Sequence, residues 1–179
     1  MMDRTDAALV EQCLAGRTES FSELVKRHQD RVFQFALRMR LDRDDAADLA
    51  QETFVRAFRK LRTYDAQYAF GSWLLSICAN LAKNRFRSED RRRRAQQAHV
   101  ELFPRSGEPD KRRDAMKEAL ARIPPETRLP LVLRHVEGLS YDEVAQVLGI
   151  GVSAAKMRVK RARDRLIELL GPARGGDAS

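Results

Sequence analysis

Along nearly the whole chain, apolar side chains recur at steps of three and four, and no stretch alternates with the two-residue period of a half-buried strand. That regularity restricts the fold to all-α. One stripe, Phe21, Leu24, Val25, Val32, Phe35, Ala36 and Met39, marks a helix that Ser20 and Glu23 predict to open with a capping box. A second helix is predicted over 46–61, with Ala46, Leu49, Ala50, Thr53, Phe54, Ala57, Phe58 and Leu61 facing inward. Asp45, Asp48 and Glu52 then share its wet face. A third carries Phe70, Trp73, Leu74, Ile77, Cys78 and Leu81 inward, with Ser76, Asn80, Lys83 and Arg87 on a polar stripe beside them. Such helices can bury one another's apolar faces as a small bundle.

The pattern breaks between Ser88 and Arg113, where Pro104, Gly107, Pro109 and four consecutive arginines leave only Val100, Leu102 and Phe103 as an apolar cluster. This composition predicts two small helical domains, 1–90 and 113–179, joined by a flexible linker over 91–112. Fully extended, the broken stretch reaches on the order of 80 Å at ~3.3 Å per residue. Beyond it, Pro125 suits the first turn of a helix, and Pro130 is expected to kink or loosen that helix.

The most informative local pattern lies between residues 140 and 165. Ser140 and Glu143 form a capping box, Val144, Ala145, Val147 and Leu148 face inward, and Gly149 supplies a tight turn. Ile150 and Val152 plug the corner before a second amphipathic helix with Ala155, Val159, Ala162, Leu166 and Leu169 on its buried side. This is a helix-turn-helix, whose second helix enters a major groove. Its outward side offers Lys156, Met157, Lys160, Arg161 and Arg163. Lysine and arginine donate to guanine edges and phosphates, and methionine gives an apolar contact.

Charge supports the same direction. The chain carries 34 Lys+Arg against 26 Asp+Glu, a net +8, and the cations concentrate around 83–94 and 156–165. Two separated basic blocks suit a polyanion touched at two places. Against them stands the acidic block Asp42, Asp44, Asp45, Asp48 and Glu52. No apolar run is long enough to cross a bilayer and the N-terminal residues lack a signal-peptide pattern, so a cytoplasmic protein is expected. His28, His99, His135, Cys13 and Cys78 have no metal-ligand spacing, and no Walker loop or G-x-S-x-G is present. No metal, cofactor or catalytic residue is therefore expected, and an enzyme is the least favoured class. His28 and both cysteines read as core residues.

Asp48-Leu49-Ala50-Gln51-Glu52-Thr53-Phe54 resembles the D-L-x-Q-E-x-F signature of bacterial RNA polymerase sigma factors. Ser72-Trp73-Leu74-Leu75-Ser76-Ile77-Cys78-Ala79-Asn80 is similar to their W-L-x-x-I-x-x-N segment, and the helix-turn-helix follows in the same order. The two-domain layout resembles the extracytoplasmic-function (ECF) group. The resemblance implies that Asp45, Asp48, Gln51 and Glu52 meet core RNA polymerase. It also implies that Asn80, Lys83 and Arg87 meet the non-template strand of the −10 element. Trp73 stands either at the edge of that DNA-binding face or in the core. Lys156, Met157, Arg158, Lys160, Arg161 and Arg163 would read the −35 element, and an anti-sigma factor is an expected partner. The chain departs from the family at Asn84, usually Asp, and at Ser153-Ala154-Ala155-Lys156-Met157-Arg158, where G-T-V-K-S-R is usual. The promoter sequence read by similar proteins therefore does not carry over. The competing reading is a stand-alone helix-turn-helix regulator that binds duplex operators without polymerase.

Overall fold

The computed structural model describes residues 5–39, 42–95 and 111–170, and within these every regular element is helical. Four helices form the first half: α1 (Asp6–Leu14), α2 (Ser20–Arg38), α3 (Arg43–Arg59) and α4 (Phe70–Ala95). A short 3-10 turn, Leu61–Thr63, follows α3. The second half holds α5 (Lys111–Arg122), α6 (Pro125–His135), α7 (Tyr141–Leu148) and α8 (Val152–Leu170).

The periodic stripes become the core as expected. Leu24, Phe35, Ala36, Ala46, Leu49, Ala57, Leu74 and Cys78 have no exposed surface. Helix α3 starts where Asp42 accepts the Asp45 amide at 2.7 Å, so this member of the acidic block is a cap. Across the first bundle, Asp6 Oδ2 and His28 Nε2 lie 2.7 Å apart, tying α1 to α2 and giving the half-buried imidazole a partner.

Several local expectations differ. Ser20 does not cap α2: its hydroxyl donates to Gln12 Oε1 at 2.9 Å, and Glu23 pairs with Arg27. The amides of Ser20, Phe21 and Ser22 already reach the carbonyls of Arg17, Thr18 and Glu19, which leaves a capping side chain nothing to satisfy. Phe58 is 45 % exposed and meets Phe21 edge-on at 5.0 Å, because it sits at the margin of the apolar stripe. Helix α4 runs on through Ala95, past the expected linker start, since arginine and glutamate are good helix formers and no proline intervenes before Pro104. Residues 96–110 of the expected linker lie outside the described residues. Helix α6 continues uninterrupted through the buried Pro130.

The helix-turn-helix is built as its sequence dictates. Ser140 Oγ accepts the Glu143 amide at 3.2 Å while Glu143 Oε2 accepts the Ser140 amide at 2.8 Å. Gly149 closes α7 at φ 65°, ψ 41°, a left-handed conformation that a Cβ would strain. Ala145, Ala155, Val159 and Ala162 are buried, whereas Leu166 and Leu169, towards the free end of α8, are half-buried.

The two halves do not stand apart. Helix α4 packs against α6 and α7, and one apolar core runs from Leu24 and Leu74 in the first half to Val132, Val144 and Leu148 in the second.

Candidate nucleic-acid and polymerase interface

The outward side of α3 carries negative charge by construction. Leu49, Thr53 and Phe54 turn inward, which leaves Asp48 and Gln51 exposed and Asp45 and Glu52 at the edge. Asp45 and Glu52 are also held within the chain. Arg85 of α4 lies 3.4 Å from Asp45 Oδ1, 3.2 Å from its carbonyl and 3.7 Å from Glu52 Oε2, and Arg56 reaches Glu52 at 2.7 Å. Arg85 therefore leaves the basic block in which its sequence position placed it and serves as counter-charge to the acidic face. Such exposed pairs contribute little to stability, so their role is to order the carboxylates.

On α4 the polar stripe is only partly open. Asn80 is exposed, Ser76 is half-buried with its hydroxyl donating to the Trp73 carbonyl at 2.6 Å, and Lys83 is half-buried. The side chain of Arg87 lies outside the described residues, as do those of Arg91–Arg94. Trp73 is half-buried, its ring 5.4 Å from Tyr64 and from Phe70, and it lines a small cleft with Thr63, Tyr68, Ser72 and Ser76. Aromatic packing of this kind holds a ring rigid at a surface edge.

On α8 all six candidate residues, Lys156, Met157, Arg158, Lys160, Arg161 and Arg163, are exposed on the side opposite Ala155, Val159 and Ala162. Met157 is 49 % exposed, a large apolar side chain left open in the middle of a cationic surface. Tyr141 organises the N-terminal end of that surface, with Arg134 at 4.8 Å and Lys156 at 5.7 Å from its ring centre. Arg163 lies 3.6 Å from Asp164 and Arg165 2.9 Å from Glu168, which trims the charge of the later turns. Lys156, Arg158, Lys160 and Arg161 keep the first turns of α8 cationic.

Both cysteines are buried. Burial pushes the Cys78 thiol up to about 12, against the opposing effects of a Thr53 hydrogen bond and the Arg85 charge, and burial likewise raises Cys13. Among the described residues no group of three or more His, Cys, Asp or Glu side chains is placed to hold a metal ion, and no helix is long and apolar enough to cross a membrane.

An acidic α3 face, an α4 polar stripe and a basic recognition helix thus occur in one chain, in that order. Residues 24–92 match the pattern of Sigma-70 region 2, and residues 113–166 match that of Sigma-70 region 4. The chain is 30 % identical to the ECF RNA polymerase sigma-E factor of Haemophilus influenzae, over 94 % of this chain and 96 % of that one. The chain belongs to the ECF sigma factor family. It is also 37 % identical to the ECF RNA polymerase sigma factor SigE of Mycolicibacterium smegmatis, over 84 % of this sigma factor but 62 % of that relative's length. Among solved structures, the sigma factor RpoE of Bartonella quintana, held with the anti-sigma factor NepR, superposes with a TM-score of 0.71 over 87 % of this chain and 99 % of that one, at 27 % identity. CnrH in complex with the cytosolic domain of CnrY gives 0.66 over 90 % and 94 %, at 30 % identity.

Four features of this sigma factor escape a reading of the sequence. Arg85, Arg128, Glu137 and the pair Arg31 and Arg38 act across helices through charge. A charged residue on a helix looks the same in sequence whether it meets water or a partner. Arg128 alone left a trace, as a cation among the apolar positions of α6. It is fully buried, donating to the Ile123 carbonyl at 2.8 Å and the Arg38 carbonyl at 3.1 Å.

Proposed function

We propose that residues 1–90 dock this sigma factor on core RNA polymerase and engage the −10 element, and that residues 113–179 read the −35 element as duplex. The chain acts as a dissociable initiation subunit with no chemistry of its own, and it works in the cytoplasm, where polymerase and promoter are. The observation that carries this reading is the separation of charge between α3 and α8. Exposed Asp48 and Gln51, with Asp45 and Glu52 beside them, suit a basic protein surface rather than DNA, while exposed Lys156, Arg158, Lys160 and Arg161 suit a polyanion. A stand-alone operator-binding regulator would have no use for the first of these faces.

Within this reading Asn80 contacts the edge of an unpaired base, with Lys83 and Arg87 on backbone phosphates and Trp73 as a rigid edge to the site. Lys156, Met157, Lys160 and Arg161 meet base edges and phosphates in the major groove, and Arg158 and Arg163 flank them. An anti-sigma factor is proposed as a regulatory partner, supported by the similar sigma factor RpoE of Bartonella quintana, whose structure holds the anti-sigma factor NepR.

Reversal of Asp48 and Glu52 to Lys tests the polymerase-binding face. Association with core polymerase should fall at least about tenfold, a cost expected when like charges are brought together across an interface. Helicity and melting should stay near wild type, since Asp48 is exposed and Glu52 is held only by surface ion pairs. Unimpaired association of the double variant would remove the role given to this face.

A further inference from the structure

Arg85 stands apart from the other cations of α4. Its Nη1 lies 3.2 Å from the Asp45 carbonyl and 3.4 Å from Asp45 Oδ1, and its Nη2 lies 3.7 Å from Glu52 Oε2. Asp45 and Glu52 are about two turns apart on one side of α3, so a single guanidinium serves both.

The guanidinium lies deeper than the carboxylates it holds. The Arg85 side chain is 28 % exposed, against 49 % for Asp45 and 38 % for Glu52. Its charge is felt in the buried seam between α3 and α4, where it acts to lower the Cys78 thiol against the effect of burial. Beyond Ala82 no described side chain of α4 is fully buried, so Arg85 is one of the last contacts that fix α4 to the bundle. Asn80 and Lys83 stand on the adjoining turns.

A second carboxylate site in the chain gives the contrast. Glu137, between α6 and α7, is consumed by its partners: its side chain is 4 % exposed, with Arg31 3.0 Å from Oε2 and Arg38 2.9 Å from Oε1. Asp45 and Glu52 are differently placed. Arg56 takes Glu52 Oε1 at 2.7 Å, but the contacts with Arg85 are longer than close charge-assisted bonds. Each carboxylate, with about four acceptor positions, therefore keeps some of them open to solvent. A group held in place yet left open is preorganised, because its side chain is ordered before the partner arrives.

We infer that Arg85 is a positioning residue for docking on core RNA polymerase: reaching from α4, it presets Asp45 and Glu52 for a basic partner surface and fixes that face against Asn80 and Lys83. The inference rests on the roles proposed above for α3 and α4. Simple charge gives the opposite sign. A cation beside an acidic face weakens its field, so Coulomb attraction alone has Arg85 opposing a basic partner, whereas preorganisation has it helping.

The test measures association of the full chain with purified core polymerase, resolved into on-rate and off-rate. Arg85→Ala should weaken affinity at least about fivefold through a faster off-rate, while the on-rate does not fall, since the face becomes more negative. Arg85→Lys keeps the charge but not the planar fork, and should stay at least about threefold weaker than wild type. With Asp45→Asn and Glu52→Gln in place, Arg85→Ala should change affinity by less than about twofold, because no carboxylate is left to position. Arg17→Ala, which removes the same charge from an exposed site outside α3 and α4, should leave both rates unchanged. If Arg85→Ala loses helicity, Arg85→Met retains an unbranched stem along the seam and takes its place. Binding by the folded variant as tight as wild type or tighter, full rescue by lysine, or an equal loss in the neutralised background each overturns the positioning role. Unimpaired association after reversal of Asp48 and Glu52 to Lys is a different result, which removes the polymerase-binding face itself. Loss of association on that reversal, with none in Arg85→Ala, strikes the role of Arg85 alone.

Discussion

At the level of single residues, the capping box of α7 is where sequence, structure and pH response meet. Burial alone would raise the Glu143 carboxyl. The hydrogen bonds from the Ser140 backbone, the Ser72 hydroxyl and the Ser140 hydroxyl, together with the Arg31 charge, outweigh it and hold the group below its ordinary value. A carboxylate whose folded value is depressed stabilises the fold fully above its unfolded value, about 4.3, and loses that contribution as pH falls through the folded one. The advantage of wild type over Glu143→Gln in urea denaturation midpoint should therefore be constant near neutrality and shrink as the pH is lowered past about 4. Ser140→Ala, which removes the other half of the box, should cost about 1 kcal/mol near neutrality. A midpoint difference that grows on acidification would contradict the assignment. This box was legible in sequence because it is local: Ser140, Glu143 and Gly149 lie within ten positions of one another. The similar pair Ser20 and Glu23 misled, because whether a serine caps depends on whether a preceding turn has already satisfied the amides.

Helices α4 and α8 carry the proposed DNA contacts in different ways, and their variants should separate. Asn80 is exposed on α4 and is assigned to a base that must first leave the stack. Asn80→Ala should leave the closed complex intact and slow strand opening, read as lower permanganate reactivity of thymines around the −10 region. Normal opening would reduce Asn80 to a surface amide. Lys156→Ala with Lys160→Ala should instead weaken promoters that depend on the −35 element, with core binding unchanged. The salt dependence should flatten by about one unit of log–log slope for each phosphate that no longer meets a cation. Periodicity made both elements readable, since Val159 and Ala162 on the buried side of α8 fix where Lys160 points. It could not show that Arg85 turns from its basic neighbours towards Asp45, because both directions lie within the reach of one long side chain.

For the molecule as a whole, the fold class and the order of the two halves followed from helical period and from the break in composition. Their mutual packing did not. Arg31 and Glu137 are 106 positions apart, and neither apolar pattern nor charge density predicts which distant carboxylate an arginine will find. The linker composition pointed to two domains, and the structure packs these two halves on each other through one core and a buried acidic clamp. The central claim, that this chain gives core polymerase its promoter specificity, is tested most directly by run-off transcription from a set of genomic promoters with purified core polymerase. The account predicts discrete transcripts from a subset of promoters with the chain present, none with core alone, and none with Asp48 and Glu52 reversed to Lys. Tight, specific binding of duplex operators by the chain alone, with no transcripts on adding core, would contradict it and favour a stand-alone helix-turn-helix regulator.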